Sequence, residues 1–499
     1  MRKSAFSMSI LFVLTLPGTT NATIWYVHPD STLNSIQAAL DSCSTHDTVL
    51  VGPGTYYENI IWPNVHGIDL ISEYGPDSAI IDGDSAGTVI VVSNGTDTST
   101  TIAHFTIRNG NADTGGGILC AEQSSPKILG NLIMNNTSSS IVYEGGAGIA
   151  CVDSSSPFIT GNTIQENLAY IKGGGIMCQN YSSPLIIGNT ITTNSAWYGA
   201  GIHCDDYSSP IITGNTICHN HYLSSDDALI FQELSQMYST SQKPDRTPFQ
   251  GGGICVWYGC APLIDNNSIF DNSIMCMGGG IACFFSSPTI SNNTITGNTA
   301  NDYGGGIACG PDTDMVITGN LIDANHSRHG GGIAVIDIMG QLVISNNTIS
   351  ANDSDGVFCD YADPLINNNN ITDNIRYGVH NIWGSAIVNA ESNWWGDSTG
   401  PYHPTLNPGG MGDSVSDYVD FDPWLYYPWG VAEQPVVQPV KDKYFPGPTI
   451  FRGPLRLPQG RDCRVFDITG RVVVPTKITR GIYFIEIDGV VMQKVIKIQ

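Results

Sequence analysis

The sequence predicts an all-β protein whose main part is a parallel β-helix with three strands per turn. Three observations lead to this fold class. One motif recurs nine times between Gly115 and Asn374. Each copy contains three short β-rich runs separated by Gly, Asn or Ser-Pro, which are strand and turn signals. No segment of a copy is long enough for a helix, so we expect about a dozen turns stacked roughly 4.8 Å apart.

A single copy shows the order of the three runs. Residues 173–178 read Gly-Gly-Gly-Ile-Met-Cys, and residues 183–194 read Ser-Pro-Leu-Ile-Ile-Gly-Asn-Thr-Ile-Thr-Thr-Asn. Residues 199–220 repeat the same order. The glycine run, the Ser-Pro step and the Asn-Thr-Ile step therefore mark three successive strands of one turn.

Two asparagine positions keep a fixed distance from one isoleucine in all nine copies. The first position lies two residues before the isoleucine and contains Asn131, Asn162, Asn189, Asn215, Asn267, Asn293, Asn320, Asn347 and Asn369. The second lies three residues after it and contains Asn136, Asn167, Asn194, Asn220, Asn272, Asn298, Asn325, Asn352 and Asn374. Stacked turns would align these amides as hydrogen-bonded ladders, and Asn tolerates the left-handed backbone of tight turns. We therefore expect the asparagines to be structural.

The cysteines follow the same period. Of 13 cysteines, seven lie two residues after the Ile or Val of the glycine run, namely Cys120, Cys151, Cys178, Cys204, Cys283, Cys309 and Cys359. Val256 and Val335 occupy that position in other copies. A position that accepts Cys or Val is a small apolar core site, so we favour a buried column of thiols. Disulfides, common in exported chains, are the alternative, and no Cys-x-x-Cys pair with zinc spacing is present.

Composition limits the partners. The chain has 20 Lys and Arg and a formal net charge of −25. Nucleic acid and anionic lipid bind basic patches, so neither is an expected partner. The acidic balance suits divalent cations such as calcium, but no residue pattern assigns a site, and we predict no cofactor and no metal ligands.

The N-terminus reads as a secretory signal peptide over residues 1–22. A basic start at 1–3 precedes an apolar stretch at 5–16 and a small-residue exit that ends at Ala22. The apolar stretch is too short to span a bilayer, and no later one is long enough. We expect a secreted or cell-surface protein without a transmembrane helix.

Residues 23–83 precede the repeat and predict a cap. Leu33, Ile36, Leu40 and Cys43 fall at helical spacing after Ser31-Thr32, which predicts a helix capped by those two residues. A solenoid end exposes its core and needs such a cap. The segments SIQAAL (35–40) and DTVLVGPGTYYENI (47–60) resemble the start of the pectin-lyase-like superfamily of right-handed β-helix proteins. The resemblance implies a right-handed coil over 23–425 and specifies no reaction.

Three further segments interrupt or follow the coil. Residues 221–250 break one copy, and 224–238 have the pattern of a short helix packed outside the rod, either as a lid or as a decoration. Residues 393–425 resemble the closing segment of secreted bacterial β-helix proteins, with the pair Trp394-Trp395 as an end plug. Residues 426–446 are rich in Val and Pro without a period and predict a linker.

The last 53 residues, 447–499, predict a small antiparallel β-sandwich. VFDITGRVV (465–473), GIYFIEI (481–487) and KVIKI (494–498) resemble the C-terminal sorting domain of the bacterial type IX secretion system. The resemblance implies that the type IX machinery is a partner and that the chain reaches the outer surface of a Gram-negative bacterium. Residues 446–453 depart from the usual PNP opening of that domain.

Candidate catalytic residues are few. Signature motifs of pectate lyases, polygalacturonases, pectin esterases and alginate epimerases are absent, and Arg328-His329-Gly330 echoes one only faintly. General acid–base chemistry on a sugar needs placed carboxylates or another base. Asp205 and Asp206, just after His203-Cys204, are the candidate pair, since neighbouring acids can raise one pKa. Two solvated turn aspartates are the alternative.

Aromatic residues suggest binding. Tyr181, Tyr207, Trp257, Tyr258, Phe284, Phe285 and Tyr361 follow the glycine-run strand at similar places, so stacking predicts one aromatic strip. Trp197, Tyr198, Tyr303, Arg328, His329, Arg376 and Tyr377 precede the glycine runs and predict a second. Flat aromatic faces suit sugar rings, and we name Tyr181, Tyr207, Trp257, Tyr258 and Phe285 as carbohydrate-binding candidates. Packing that shields the turns is the alternative.

Two functions remain at this point. The first is an exported β-helix protein that contacts polysaccharide or a cell-surface glycan and acts as a lyase or hydrolase if it is an enzyme. The second is a non-catalytic surface, adhesion or matrix protein that uses the coil as a rigid rod. Missing catalytic motifs favour the second for chemistry, and the aromatic strips favour the first for binding, so enzymatic activity is left open.

Overall fold

A computed structural model describes residues 22–141, 145–223, 250–338, 341–382 and 386–430 of the first unit. In the second unit it describes residues 450–451, 455, 457, 463–467, 471–487 and 490–497. The chain divides into two compact units, Met1–Val431 and Ala432–Gln499. The apolar part of the predicted signal peptide, the predicted insertion helix and most of the predicted linker lie outside the described residues.

The first unit is a coil of three long parallel sheets, which confirms the predicted β-helix. The sheet that follows the glycine runs is called the glycine-run sheet. Its strands are Ile60–Ile61, Ile90–Val92, Ile118–Cys120, Ile149–Cys151, Ile176–Cys178, Ile202–Cys204, Ile254–Val256, Ile281–Cys283, Ile307–Cys309, Ile333–Ile336, Val357–Asp360 and Val379–Asn381.

The second sheet follows the Ser-Pro steps and is called the serine–proline sheet. It has the most strands because it also contains both ends of the coil. Its strands are Ile24–Val27, Thr48–Val51, Asp69–Ser72, Thr101–Ala103, Lys127–Leu129, Phe158–Thr160, Leu185–Ile187, Ile211–Thr213, Leu263–Asp265, Thr289–Ser291, Met315–Thr318, Leu342–Ser345, Leu365–Asn367, Val388–Asn389 and Val419–Asp420.

The third sheet, called the asparagine sheet, lies between the two asparagine positions of each turn. Its strands are Gly54–Tyr57, Ala79–Asp82, Thr106–Arg108, Leu132–Met134, Thr163–Gln165, Thr190–Thr192, Thr216–Cys218, Ser268–Phe270, Thr294–Thr296, Leu321–Asp323, Thr348–Ser350 and Asn370–Thr372. Shorter ladders flank it at Asn111–Ala112, Thr137–Ser138 and Leu168–Ala169, and at Ser273–Ile274 and Thr299–Ala300.

The strands pair in the register that the repeat predicts. Ile176 pairs with Ile202 and Cys178 with Cys204 in the glycine-run sheet, while Ile191 pairs with Ile217 in the asparagine sheet. Equivalent residues thus lie one strand spacing apart, and their inward side chains form one continuous apolar core. Most of these core side chains are fully buried.

Both asparagine columns form hydrogen-bonded ladders inside the turns. Asn298 is representative: its Oδ1 accepts the backbone N–H of Asn272 at 3.1 Å and the side-chain amide of Asn272 at 3.0 Å. Its own Nδ2 donates to the Ile269 carbonyl at 2.9 Å and to Asn325 Oδ1 at 3.0 Å. Because each buried amide is satisfied, the ladder fixes the register without leaving polar groups unpaired.

The ladder asparagines do not occupy the left-handed turn positions that we expected of them. The positive φ angles belong to the residue just before each one, such as Gly297 at +64° before Asn298 and Asn292 at +53° before Asn293. The physical reason is that the ladder amide must point into the turn, whereas the left-handed residue only reverses the backbone. That preceding position therefore tolerates Gly, Asn, Asp, Thr and even Ala.

Close approach between turns explains the glycine run. Gly173 has φ of +64°, a conformation that favours glycine. A Cβ on Gly175 would lie 2.5 Å from the carbonyl oxygen of Gly201 in the next turn. The first glycine thus supplies a left-handed turn, and the third allows two backbones to pass with no side chain between them.

The seven cysteines at the repeated inward position of the glycine-run sheet lie in the core as predicted. Cys151, Cys178 and Cys204 are register partners in successive turns and are fully buried free thiols. Burial raises the pKa of the Cys120 thiol to about 12. The column is therefore apolar packing material rather than a set of reactive groups.

The cap helix is present but shorter than expected. Helix α1 spans Ile36–Leu40, and its N-cap is Ser35 rather than Ser31-Thr32. The Glu58 carboxylate accepts the backbone N–H groups of Ile36 and Gln37 at 2.8 Å, so a strand end supplies the negative charge at the helix start. Ser31 instead donates its hydroxyl to the carbonyls of His28 and Leu33 in a turn.

The other end of the coil is closed by the segment predicted for that role. Trp395 is fully buried in the core, together with Val415 and Phe421. Trp394 is half-buried. The asparagine ladders end in the same region, one on Asn393 and the other on the carboxylate of Asp413.

The second unit contains one small sheet. Its strands Ile450–Phe451, Cys463–Asp467, Gly481–Ile487 and Val490–Lys497 pair antiparallel, except for a parallel pairing of the first with the last. A single turn of 3₁₀ helix spans Pro475–Lys477. This confirms a small, mostly antiparallel C-terminal sheet, and the described residues of this unit form one layer rather than two.

Candidate ligand-binding face

The outside of the glycine-run sheet differs from the other surfaces of the coil. Strand residues alternate between inside and outside, yet in most turns of this sheet the outward residues are buried as well. Ala282 and Ala308 are covered by Met277 and Phe284, and Trp257 and Tyr303 pack against the same group. We call this covered surface the outer face.

A charged cluster lies on the outer face near its middle. The ammonium group of Lys172 forms an ion pair with Asp205 Oδ2, and His203 Nε2 lies 3.6 Å from the same oxygen. Lys172 precedes the glycine run of one turn, whereas His203 and Asp205 lie at the strand Ile202–Cys204 of the next turn. Each of the three side chains is almost fully buried. Asp205 Oδ1 also accepts the backbone N–H of Asp206 at 2.8 Å.

The charges of this cluster hold each other in place. Burial alone would raise the pKa of Asp205, but His203 and Lys172 outweigh it and hold that pKa well below its usual range. Burial lowers the pKa of His203, partly offset by Asp205. At neutral pH the cluster is therefore a buried carboxylate–ammonium pair beside a neutral imidazole.

Asp205 and Asp206 do not act as a pair of neighbouring acids. Asp205 points to Lys172 and His203, whereas Asp206 accepts a hydrogen bond from Gln179 at 3.0 Å and has φ of +49°. The expected rise of a pKa through mutual repulsion is wrong for Asp205, because His203 and Lys172 hold its pKa below the usual value. A catalytic role for Asp205 and Asp206 stays a prediction.

The aromatic residues after the glycine-run strand divide between two surfaces. Tyr181, Tyr207, Tyr258 and Phe285 lie at positive φ on the exposed turn that leads to the serine–proline sheet. We call these four residues the tyrosine edge. Tyr181 and Tyr207 stack with their ring centroids 5.4 Å apart and their planes 9° apart, and Tyr258 meets Tyr207 edge-on at 5.5 Å.

The stacking limits what the tyrosine edge offers to a ligand. One face of Tyr207 covers Tyr181, and its ring lies so close to Gly259 that a Cβ there would come within 2.5 Å. Tyr181, which is 60% exposed, keeps one face open. The edge therefore presents ring rims and hydroxyl groups along the rod, with an open ring face at its Tyr181 end.

Trp257 belongs to the outer face instead. Its ring packs against Phe284 at 5.5 Å, Phe285 at 5.9 Å and Tyr198 at 6.1 Å between centroids. Tyr198 in turn lies 6.3 Å from His203. Residues from the two predicted strips thus meet on the outer face, next to the Lys172 cluster.

A second charged cluster lies further along the outer face. Asp355 is completely buried, with His380 Nδ1 3.2 Å from its Oδ1 and Arg376 Nη1 3.8 Å from its Oδ2. The 3.2 Å contact is short enough for a hydrogen bond but is not aligned as one. The His380 ring stacks on Tyr377 at 4.4 Å and meets Phe358 edge-on.

His329 links this cluster to the aromatic residues beside it. Its ring lies 4.9 Å from Phe358 and stacks on Tyr303 at 5.3 Å. Burial lowers the pKa of His329, and Arg376 lowers it further. The imidazole is therefore neutral near pH 7.

Several buried polar atoms of the outer face lack an aligned hydrogen bond, as do the indole nitrogens of Trp62 and Trp395 and the hydroxyl of Ser286 elsewhere in the coil. Among the described residues, both ring nitrogens of His203, Nδ1 of His329, Nδ1 of His380 and Oδ1 of Asp355 are buried without an aligned hydrogen bond. Buried polar groups in native proteins are nearly always paired, so each exception needs a ligand, a water or a function to explain it. The asparagine ladders show no such exceptions.

Sequence reasoning missed Lys172, Asp355 and His380 as members of these clusters. The available signal was departure from the repeat. His203 and His380 occupy the outward strand position where other turns carry Ala, Met, Cys or Phe, and Asp355 replaces the middle glycine of a glycine run. A break in the period at an outward position was the sign of a polar cluster.

The described residues contain no group of three or more His, Cys, Asp or Glu side chains arranged to hold a metal ion. They also contain no helix that is both long and apolar enough to cross a membrane.

Comparison with known proteins identifies the family. Residues 84–228 and 242–394 match the model of the right-handed β-helix region, and the chain belongs to that family. No curated protein matches the sequence. Among solved structures, a periplasmic alginate epimerase double mutant is 14% identical over 73% of this chain and 82% of its own, with a TM-score of 0.40. An alginate lyase from Paenibacillus sp. str. FPU-7 is 12% identical over 80% and 99%, with a TM-score of 0.29.

Proposed function

We propose that the protein is an exported β-helix protein that contacts polysaccharide along the outer face and the neighbouring tyrosine edge. The observation that carries this proposal is that aromatic rings and buried polar atoms without an aligned hydrogen bond meet on one side of a coil whose asparagine ladders are fully hydrogen-bonded. Sugars bind to surfaces of this composition, because aromatic rings pack on their C–H faces and polar groups take their hydroxyls. The repeat of about 4.8 Å also suits a linear polymer lying along the rod.

Export enters the proposal through sequence patterns alone. The signal peptide at 1–22 and the type IX sorting domain at 447–499 would carry the chain to the outer surface of a Gram-negative bacterium. Cleavage after Ala22, measured on protein purified from culture medium or cell surface, tests the first. Loss of surface exposure on deletion of residues 447–499 tests the second.

The binding proposal is tested on a glycan array with the full-length protein. Trp257→Ala and Tyr181→Ala should each weaken binding of any glycan that is retained, since stacking on an aromatic ring contributes on the order of 1 kcal/mol. Tyr74→Ala is the matched control for Tyr181→Ala, because Tyr74 is exposed to a similar extent, 68% against 60%, but lies outside both surfaces. Absence of any glycan binding would remove the proposal.

A non-catalytic adhesion or matrix role is the second candidate, and one observation favours it. The groups best suited to acid–base chemistry near the middle of the outer face, Lys172, His203 and Asp205, are almost fully buried and neutralise each other. Catalytic groups must reach the substrate. Reducing-sugar and unsaturated-uronate assays on every glycan that binds decide between the two: product formation supports an enzyme, and binding without product supports an adhesive role.

A further inference from the structure

Positive charge is confined to one place in the C-terminal half of the coil. Between residues 250 and 430 the sequence contains two cationic side chains, Arg328 and Arg376, against eighteen Asp and Glu. The structure brings these two together from different turns: Arg376 Nη1 donates a hydrogen bond to the carbonyl oxygen of Arg328 at 3.2 Å. Two arginines scattered at random over this length of coil would seldom meet.

Most of the hydrogen-bonding capacity of Arg376 is unused. A guanidinium has five N–H donors, and the described residues accept one hydrogen bond from it. The nearest carboxylate, Asp355, lies 3.8 Å away, which is beyond hydrogen-bond distance. Asp355 is completely buried and also holds His380 and the backbone N–H of Gly330, whereas the Arg376 side chain is 42% exposed. The carboxylate thus anchors the guanidinium from below while leaving its outer edge open.

Arg328 has no such anchor. No ion pair involving its side chain occurs among the described residues, and it is exposed beside His329. A structural role as the counter-ion of a buried acid therefore accounts for Arg376 in part but not for Arg328. The buried, unaligned Nδ1 atoms of His329 and His380 next to the pair also call for a partner.

We propose that Arg328 and Arg376 form a binding site for an oxyanion, a carboxylate or sulfate group carried by the polysaccharide that the outer face contacts. This inference rests on the proposed function and names the charge class of its ligand. A planar guanidinium takes an oxyanion through two parallel hydrogen bonds, and Tyr303 and Tyr377, which stack on His329 and His380, supply aromatic surface in the same cluster. A chain of net charge −25 repels an acidic polymer, but that repulsion is screened beyond about 8 Å at physiological salt, so a local pair of cations decides whether the acidic group binds.

The test is calorimetric titration of the full-length protein with oligosaccharides of matched length that are neutral, uronate-containing or sulfated, and with inorganic sulfate alone. At least one acidic series should bind about tenfold or more tightly than the neutral one, since a charge-assisted hydrogen bond contributes about 1.5–3 kcal/mol. Arg328→Gln and Arg376→Gln should each remove about that factor. Lys127→Gln, which removes one charge from the serine–proline sheet, should leave affinity unchanged.

Arg328→Gln is the decisive variant, because loss of Arg376 also removes a neighbour of buried Asp355 and could weaken the fold. Unfolding midpoints of both variants identify such an effect. Arg376→Lys adds a second check. It keeps the positive charge but loses the paired N–H donors of the planar guanidinium, so its affinity should lie between that of the unchanged protein and that of Arg376→Gln. Histidine NMR gives an independent readout, since a bound anion should raise the pKa of His329.

The outcomes separate the two proposals. Equal affinity for neutral and acidic oligosaccharides, or acidic binding that survives both Arg→Gln variants, overturns the oxyanion site and leaves polysaccharide contact standing. Binding of inorganic sulfate without binding of any acidic oligosaccharide identifies an adventitious ion only and also overturns it. Binding of no oligosaccharide at all overturns the proposed function and the inference with it.

Discussion

The two sides of the glycine-run sheet are made by the same strands but follow different rules. The inward positions repeat Ile and Cys or Val from turn to turn, and the adjoining asparagine ladders leave no amide unpaired. The outward positions change from Ala to Met, His, Cys and Phe, and two of them, His203 and His380, carry buried ring nitrogens without an aligned hydrogen bond. Repetition on the inside stabilises the coil, while variation on the outside produces the charged and aromatic clusters. In a repeat protein, function is therefore sought where the period breaks.

The largest effect is expected from breaking a ladder. Asn298→Ala would remove the acceptor of two hydrogen bonds from Asn272 and the donor to Ile269 and Asn325. Each buried group left unpaired costs about 1–3 kcal/mol, so we expect a loss of about 3–5 kcal/mol, measured as a lower urea midpoint. Thr294→Ala, exposed on the adjacent strand, is the control and should change stability by less than about 0.5 kcal/mol. Similar small losses for both would contradict a structural role for the ladder.

The next effect comes from the outer face. Lys172→Met leaves the buried Asp205 carboxylate without its ammonium neighbour, which for buried pairs costs about 3 kcal/mol or more. Lys127→Met removes a more exposed charge and should cost much less. Replacing both members, Lys172→Met with Asp205→Leu, should recover much of the loss, because no buried charge remains. If the double variant is no more stable than Lys172→Met, the two residues do more than neutralise each other's charge.

Acid should act on the same cluster more gradually. The folded pKa of His203 lies below its usual value, so the unfolded chain binds the proton more readily and stability falls as pH drops below about 6.5. The folded pKa of Asp205 is also lowered, so its contribution is complete above about pH 4 and is lost as pH falls through the folded value. Urea midpoints measured from pH 8 to 3 should decline in these two steps. Lys172→Met should flatten the second step, since it brings the folded pKa of Asp205 closer to the unfolded one.

The smallest effect is expected inside the thiol column. Cys178→Val changes a fully buried residue to one that other turns use at the same register position, Val256 and Val335. Volume-conserving core substitutions usually cost less than about 1.5 kcal/mol. Thiol labelling of the native protein should also be slow, because the column is buried and the Cys120 pKa is raised to about 12. Rapid labelling of the column in the folded state, or a large loss of stability in the variant, would show that the cysteines are more than packing.

Much of the fold was predictable from the sequence because its signals are periodic. The three strands per turn, the cysteine column and both asparagine columns follow from counting residues between equivalent positions, whereas the plug at Trp395 was predicted from a resemblance of its segment. Local details were less predictable. The helix begins at Ser35 because Glu58, more than twenty residues away, supplies its N-terminal partner. The Ser-Pro step, taken only as a breaker, also carries a ladder in which Ser155 N–H donates to Ser182 Oγ at 3.1 Å.

The site was predicted only in outline. Sequence reasoning named Asp205, Trp257 and the tyrosines of the exposed turn, and it placed Arg328 and Arg376 in one strip. It did not show that Trp257 turns onto the outer face, whereas Tyr258 beside it stays on the turn. It also did not connect Lys172 to Asp205, which lies 33 residues further along the chain.

The sequence by itself determined the coil, because its period forces equivalent residues to stack one strand spacing apart and each turn can bury its apolar residues only against the next. The tertiary structure alone decided which polar side chains meet residues of other turns, as Lys172 meets the Asp205 carboxylate and Arg376 meets the backbone carbonyl of Arg328. The physical reason is the separation along the chain of the residues involved. Backbone register is set by short sequence signals that repeat in every turn. An ion pair instead depends on where two long side chains from different turns end after the aromatic residues around them have packed.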